Sequence, residues 1–188
     1  MKTSILALAA TVLFGTSAFA GVITYTAVLG NFENPPTGSP GTGFATVTID
    51  NVLNTMLVDV TFSGLTSGNT NAHIHCCVAQ GGNAGVATTT PTFTGFPTGA
   101  ISGTYSHLFD LLQATSWNPA FITANGGTPA SAEAVLLAGL AANQTYLNIH
   151  TTNFGGGEIR GFLVAAPEPG TFLLAGAVLA GFLIRRRK

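Results

Sequence analysis

Side chains over residues 43–50 and 55–62 alternate between two faces with a period of two. Ala45, Val47 and Ile49 fall on one side of the first segment against Phe44, Thr46 and Thr48; Met56, Val58, Val60 and Phe62 face away from Leu57, Asp59 and Thr61 in the second. Successive residues of a strand point to opposite faces of a sheet, whereas a helix repeats every 3.6 residues, so the pattern reads as two half-buried strands. Asp50-Asn51 and Asn54 lie between them and supply turn chemistry, which predicts a hairpin. Residues 22–29 alternate in the same way, and 72–78, 103–110, 145–151 and 158–164 are further strand candidates. Asn118-Pro119 and Thr128-Pro129 each set an N-cap residue before a proline at the first helical position. They predict a short helix ending near Gly126 and a second over 130–142. The Gly/Thr/Pro-rich stretch 81–99 is long for a loop in a compact domain, and reads either as an ordered surface excursion or as a functional segment. Together these elements predict a mainly β fold, an antiparallel Greek-key-like β-sandwich with one or two short inserted helices.

The two ends differ from this body. Lys2 precedes an apolar run over 5–14 and then Ser17-Ala18-Phe19-Ala20, with small residues three and one before the expected cut, the pattern of a secretory signal peptide. At the other end Pro167-Glu168-Pro169 leads into an apolar stretch over 171–184 and then Arg185-Arg186-Arg187-Lys188. Apolar residues fall on all sides of that stretch, so it reads as a membrane-associated apolar helix whose basic end stays on the cytoplasmic side. The expected division is a signal peptide at 1–20, one domain at 21–166 and a tail at 167–188. Between the ends Arg160 is the one basic residue, against Glu33, Asp50, Asp59, Asp110, Glu133 and Glu158, a net charge of −5 with histidine neutral. An acidic domain with no basic stripe makes a poor nucleic-acid binder.

Three stretches taken together carry a resemblance: Glu33-Asn34-Pro35-Pro36, Ala72-His73-Ile74-His75, and Asn148-Ile149-His150-Thr151 with Gly157-Glu158-Ile159-Arg160-Gly161. In this order they resemble a CHRD domain, the module named for its occurrence in chordin, over roughly residues 23–163. The tail resembles a PEP-CTERM sorting signal, with Pro167, Glu168 and Pro169 as its motif. The second resemblance implies processing by an exosortase-type sorting protease after signal peptidase, in bacteria that make extracellular polysaccharide. It also implies an exported protein of the envelope or exterior, transiently anchored in the inner membrane by its tail. The first implies an extracellular module and no agreed bacterial activity.

His73 and His75 stand two apart on an expected strand and so share a face, with Cys77 on that same face; His150 and Asn148 are expected on the polar side of a later strand. If those strands are neighbours, His73, His75, His150, Glu158 and Arg160 form a polar cluster on an outer face of the sheet. Imidazoles at this spacing suit copper or zinc, with Cys77 as a further thiolate donor. The competing reading is structural: the histidines and a Glu158/Arg160 salt bridge simply hold strands together. Cys76-Cys77 leaves a vicinal disulfide, metal ligation or an interchain link open, the first two being favoured over the third. Gly155-Gly156-Gly157 reads as a turn, and Ser106, His107 and Asp110 have the residue types of a hydrolytic triad without a nucleophile elbow to organise them. No catalytic residue is assigned. The expected function is that of an exported structural or interaction protein with extracellular polysaccharide or protein partners, the alternative being an extracellular copper- or zinc-binding protein.

Overall fold

The structure, a computed structural model, describes residues 21–167; the signal peptide expected at 1–20 and the apolar helix expected in the tail lie outside the described residues. In chain order the elements are β1 (Val22–Leu29), β2 (Thr42–Asp50), β3 (Thr55–Ser63), β4 (Asn69–Cys76), β5 (Gly103–Asp110), α1 (Pro119–Ala124), α2 (Pro129–Ala141), β6 (Thr145–Thr151), β7 (Ile159–Phe162) and β8 (Val164–Ala165), with one 3-10 turn at Ala114–Ser116. The strands form a five-stranded sheet, β5-β3-β2-β1-β8, and a three-stranded sheet, β4-β6-β7. Every neighbouring pair is antiparallel.

The alternation decides which faces meet. Ala45, Val47, Ile49, Met56, Val58, Val60 and Phe62 are buried on the inner face of the larger sheet, opposite Ala72, Ile74, Leu147, Ile149 and Ile159 of the smaller one. Burying one such Ile, Leu or Phe contributes roughly 1.5–3 kcal/mol, so a one-residue slip of β2 against β3 would forfeit several of these at once. The β2–β3 hairpin closes as expected, with Asp50 Oδ1 accepting from the backbone N–H groups of Val52 and Leu53 and with Asn54 at φ 54°.

Both helices start where the Asn-Pro and Thr-Pro pairs predict. Asn118 accepts from the Ala120 N–H, and Thr128 and Ser131 cap each other reciprocally at the head of α2. Ala132, Leu136 and Leu140, four apart, form the stripe by which α2 joins the core.

Two strand expectations change in detail. β4 ends at Cys76, because Cys76 and Cys77 form a vicinal disulfide and the chain leaves the sheet there. The expected strand over 158–164 splits: β7 belongs to the small sheet, β8 to the large one, and Leu163 between them is fully buried.

Residues 81–99 are an ordered excursion. They run along the free edge of β4, the Ala87 and Phe93 N–H groups donating to the Ile74 and Ala72 carbonyls and the Thr88 and Thr92 hydroxyls accepting from the Ile74 and Ala72 N–H groups. An edge strand left bare would present unpaired backbone groups, and this segment occupies them. It also folds over the face of the small sheet that points away from the core.

Candidate metal centre

On that covered face the register of β4 with β6 sets His73 opposite Asn148, His75 opposite Tyr146, and Asn71 opposite His150. Alternate residues of adjacent strands point the same way, so His73, His75 and His150 converge, one ring nitrogen of each lying within 4.8 Å of the others. The three histidines of the expected cluster therefore come together, without Glu158 and not on an outer face: they are only 3, 7 and 7% exposed.

Each imidazole is held from behind by a backbone carbonyl. His73 Nε2 meets the Pro91 oxygen at 2.6 Å, His75 Nδ1 the Ala84 oxygen at 2.8 Å, and His150 Nδ1 the Gly155 oxygen at 2.9 Å. A carbonyl oxygen only accepts, so each of these nitrogens carries the N–H, and a neutral imidazole has no second proton. The nitrogens left over, His73 Nδ1, His75 Nε2 and His150 Nε2, are lone-pair donors. His73 Nδ1 lies 3.3 Å from His150 Nε2, and His75 Nε2 is buried without a hydrogen-bond partner. Backbone carbonyls that fix the tautomer and aim the free nitrogen are the outer shell expected of a histidine metal site.

Burial keeps the rings neutral. It pushes His73 down to about 4 against the opposing pull of the Pro91 carbonyl, with His150 and His75 lowering it further. Burial likewise lowers His75 and His150, partly opposed by the carbonyls of Ala84 and Gly155. Near neutral pH no proton is available to sit among the three lone pairs, and the neutral form is the one that binds a cation.

Arg160 braces the surroundings. It is 1% exposed and its guanidinium donates to the carbonyls of Phe32 and Gly82 and to Asn83 Oδ1, so it ties the chain after β1 and the 81–99 segment to β7. It stacks 4.8 Å from the centre of the Tyr146 ring, and Tyr146 in turn stacks on His75 at 4.7 Å with the planes 7° apart. Tyr146 also accepts from the Ala84 N–H, next to the carbonyl that holds His75.

A family model for the CHRD domain matches residues 25–163, which takes in all three histidines, Glu33 and Arg160. The chain belongs to the CHRD family. A second model, the PEP-CTERM protein-sorting motif, matches residues 165–188 and marks an exported protein whose tail is a transient membrane anchor, processed by an exosortase-type system. No curated protein and no solved structure matches the chain. Among the described residues no helix is long and apolar enough to cross a membrane.

Two expectations about this CHRD domain are corrected. Cys77 is not with the histidines: it is bonded to Cys76, and both sulfurs pack over Gly139 of α2, where a Cβ would come within 2.5 Å of Cys77 Sγ and 2.7 Å of Cys76 Sγ. Strand alternation stops at Cys76, so it no longer directs residue 77 to the histidine face. Nor do Glu158 and Arg160 pair. The partner of Arg160 is Glu33, with Oε2 3.7 Å from Nε. Glu158 lies before β7, outside the pleat, and accepts from Ser39 Oγ, Thr151 Oγ1 and both the N–H and hydroxyl of Thr66.

Ser106 and His107 fall on opposite faces of β5 in the CHRD sheet, and Asp110 Oδ1 accepts from the Leu112 N–H, so those three residues form no triad. Sequence reasoning gave no role to Glu33, although the Glu-Asn-Pro-Pro motif contains it. It also had no means of finding the Pro91, Ala84 and Gly155 carbonyls, because a carbonyl is the same in every residue.

Proposed function

We propose that this exported CHRD-domain protein holds one transition-metal ion, copper or zinc, between His73, His75 and His150, in the cell envelope or outside the cell. The reading rests on one observation: three buried imidazoles have each committed their N–H to a backbone carbonyl, which leaves three converging lone pairs with no donor among them. Two donors bound tetrahedrally to an ion at about 2.0–2.1 Å stand about 3.3 Å apart; His73 Nδ1 and His150 Nε2 are 3.3 Å apart, and the set of three spans up to 4.8 Å, so the His75 ring closes in by up to about 1.5 Å to complete it. An all-imidazole set suits copper and zinc and does not suit calcium or magnesium, which take oxygen. Burial of all three ligands favours retaining the ion over turnover. In this reading signal peptidase removes 1–20, residues 21–166 are the functional domain, and the exosortase-type system acts on the tail beginning at Pro167, Glu168 and Pro169. Polysaccharide or protein partners outside the cell then meet a metal-loaded module.

The test is equilibrium binding of Zn(II), Cu(II) and Cu(I) to the tag-free full chain in detergent, beside a His73→Ala/His75→Ala/His150→Ala variant. One ion per chain, lost in a variant that keeps its far-UV circular dichroism, is the expected result. No stoichiometric binding of any of the three ions, with the cysteines oxidised or reduced, refutes the reading and leaves the histidines as strand-to-loop connectors of a structural or interaction protein.

A further inference from the structure

Beside the three histidines stands a fourth buried side chain that the hydrogen bonding leaves incomplete. Asn148 is 1% exposed, directly opposite His73 and two residues from His150 on the same face of β6. Its Nδ2 donates to Glu33 Oε1 at 3.3 Å, which fixes the amide's orientation, since a carboxylate only accepts. The other branch of the planar amide, Oδ1, is buried and has no partner. Asn148 shares that face with His75, which lies two residues along β4 from His73. His75 gives its proton to Ala84, so its Nε2 is as incomplete as Asn148 Oδ1. Two buried acceptors on one face, neither with a donor, each keep an uncompensated desolvation penalty, and a cation relieves both.

We infer that Asn148 is the fourth donor of the centre, offering Oδ1 to the ion beside the three imidazoles, with Glu33 as the positioning residue that aims it. The inference rests on the three-histidine reading above. The arrangement around the amide is consistent with a built site. Glu33 is held in turn by Arg160 at 3.7 Å, and Gly157, at φ +126°, lies so close that a Cβ there would come within 2.5 Å of both Asn148 Nδ2 and Glu33 Oε1. A glycine keeps that space open for the amide and carboxylate to meet. Because the fourth donor is a neutral oxygen, it matters most to an ion that requires four ligands. Zn(II) and its spectroscopic substitute Co(II) take tetrahedral sets, whereas Cu(I) is content with three imidazoles.

The experiment compares Asn148→Leu, the double variant Asn148→Asp/Glu33→Gln and the wild type as full chains in detergent, with Zn(II), Co(II) and Cu(I) as probes. Asn148→Leu keeps the volume and removes the oxygen. It is expected to weaken Zn(II) binding by about tenfold or more and to shift the Co(II) ligand-field bands, while Cu(I) affinity stays within about threefold. Asn148→Asp is made together with Glu33→Gln, so that a donor still faces residue 148; the pair keeps the shape, puts a charge on the ligand, and is expected to bind Zn(II) more tightly than the wild type. A residue that only supported the sheet would not separate Zn(II) from Cu(I) in this way. If the wild type binds Zn(II) and both variants match it with unchanged Co(II) bands, Asn148 is not a ligand and the three-histidine centre stands without it. If the wild type binds no metal, the three-histidine reading fails and this inference with it. Should Asn148→Leu fail to fold, the Asn148→Asp/Glu33→Gln variant decides alone, by a Zn(II) affinity above or not above that of the wild type.

Discussion

Replacing Arg160 by methionine keeps most of the volume of the side chain's stem and removes a charge that is 1% exposed. Three consequences follow from its contacts. Glu33, 8% exposed, loses the guanidinium 3.7 Å away and keeps the Asn148 amide as a donor. The Phe32 and Gly82 carbonyls lose their guanidinium donors, but both belong to surface segments that can turn towards water. Tyr146 loses the cation above its ring. The first term dominates, because removing one partner of a buried ion pair leaves the other charge uncompensated, at about 3–5 kcal/mol. The double variant Glu33→Gln/Arg160→Met removes that stranded charge and should recover about 1–3 kcal/mol of the loss, a coupling that a double-mutant cycle isolates. The sign with pH is also set. Burial already raises the Glu33 carboxyl, and Arg160 is the principal influence lowering it. Without Arg160 the carboxyl takes up its proton at higher pH, so the deficit of the single variant should shrink between pH 7 and pH 5. Urea unfolding followed through the buried Trp117, the one tryptophan of the chain, measures all three proteins. A loss below about 1 kcal/mol for Arg160→Met, or a double variant no more stable than the single one, would refute the claim that Arg160 offsets Glu33.

Two further predictions concern other parts of the frame. Burial pushes Glu158 up, but hydrogen bonds from Ser39, Thr151 and Thr66 outweigh it and hold the carboxyl below its ordinary value. A folded-state value below the unfolded one means that this contribution is complete above the unfolded value and disappears as pH falls through the folded one. Glu158→Gln should therefore lose about 1–3 kcal/mol at pH 7 and show a flatter acid limb; urea midpoints that run parallel to the wild type from pH 7 to pH 3 would count against it. Gly139→Ala drives a methyl group into both sulfurs of the Cys76–Cys77 disulfide and should lower stability by about 1–3 kcal/mol. An unchanged melting temperature, or an unreduced intact mass that shows two free thiols, would speak against the packing of the disulfide on α2.

The chain itself determined a good deal of this protein. Period-two alternation in 43–50 and 55–62 is a local property of strands, and it set Ala45, Val47 and Ile49 on one face of the first and Met56, Val58, Val60 and Phe62 on one face of the second, the faces that are buried. The Asn-Pro and Thr-Pro pairs located both helix starts, because capping is decided within one turn of the backbone. The shared face of His73 and His75 was legible for the same reason, as were the CHRD and PEP-CTERM motifs. Pairing of distant segments was not. Whether β4 lies beside β6, and in which register, depends on how the two sheets close over the core, and only that closure brings His150 to His73 and His75. Polar residues on the far side of the small sheet look solvent-facing in the sequence, since alternation separates two faces without saying what covers them. Residues 81–99 cover this one, and in doing so bring the Ala84 and Pro91 carbonyls behind two of the imidazoles. The Glu158/Arg160 pairing failed on the same ground: spacing in the chain made them neighbours, but Glu158 lies outside the pleat and Glu33, more than a hundred residues earlier, is folded against Arg160 instead. Local geometry is written into successive residues, whereas burial, partners and protonation are properties of the space that several segments enclose together.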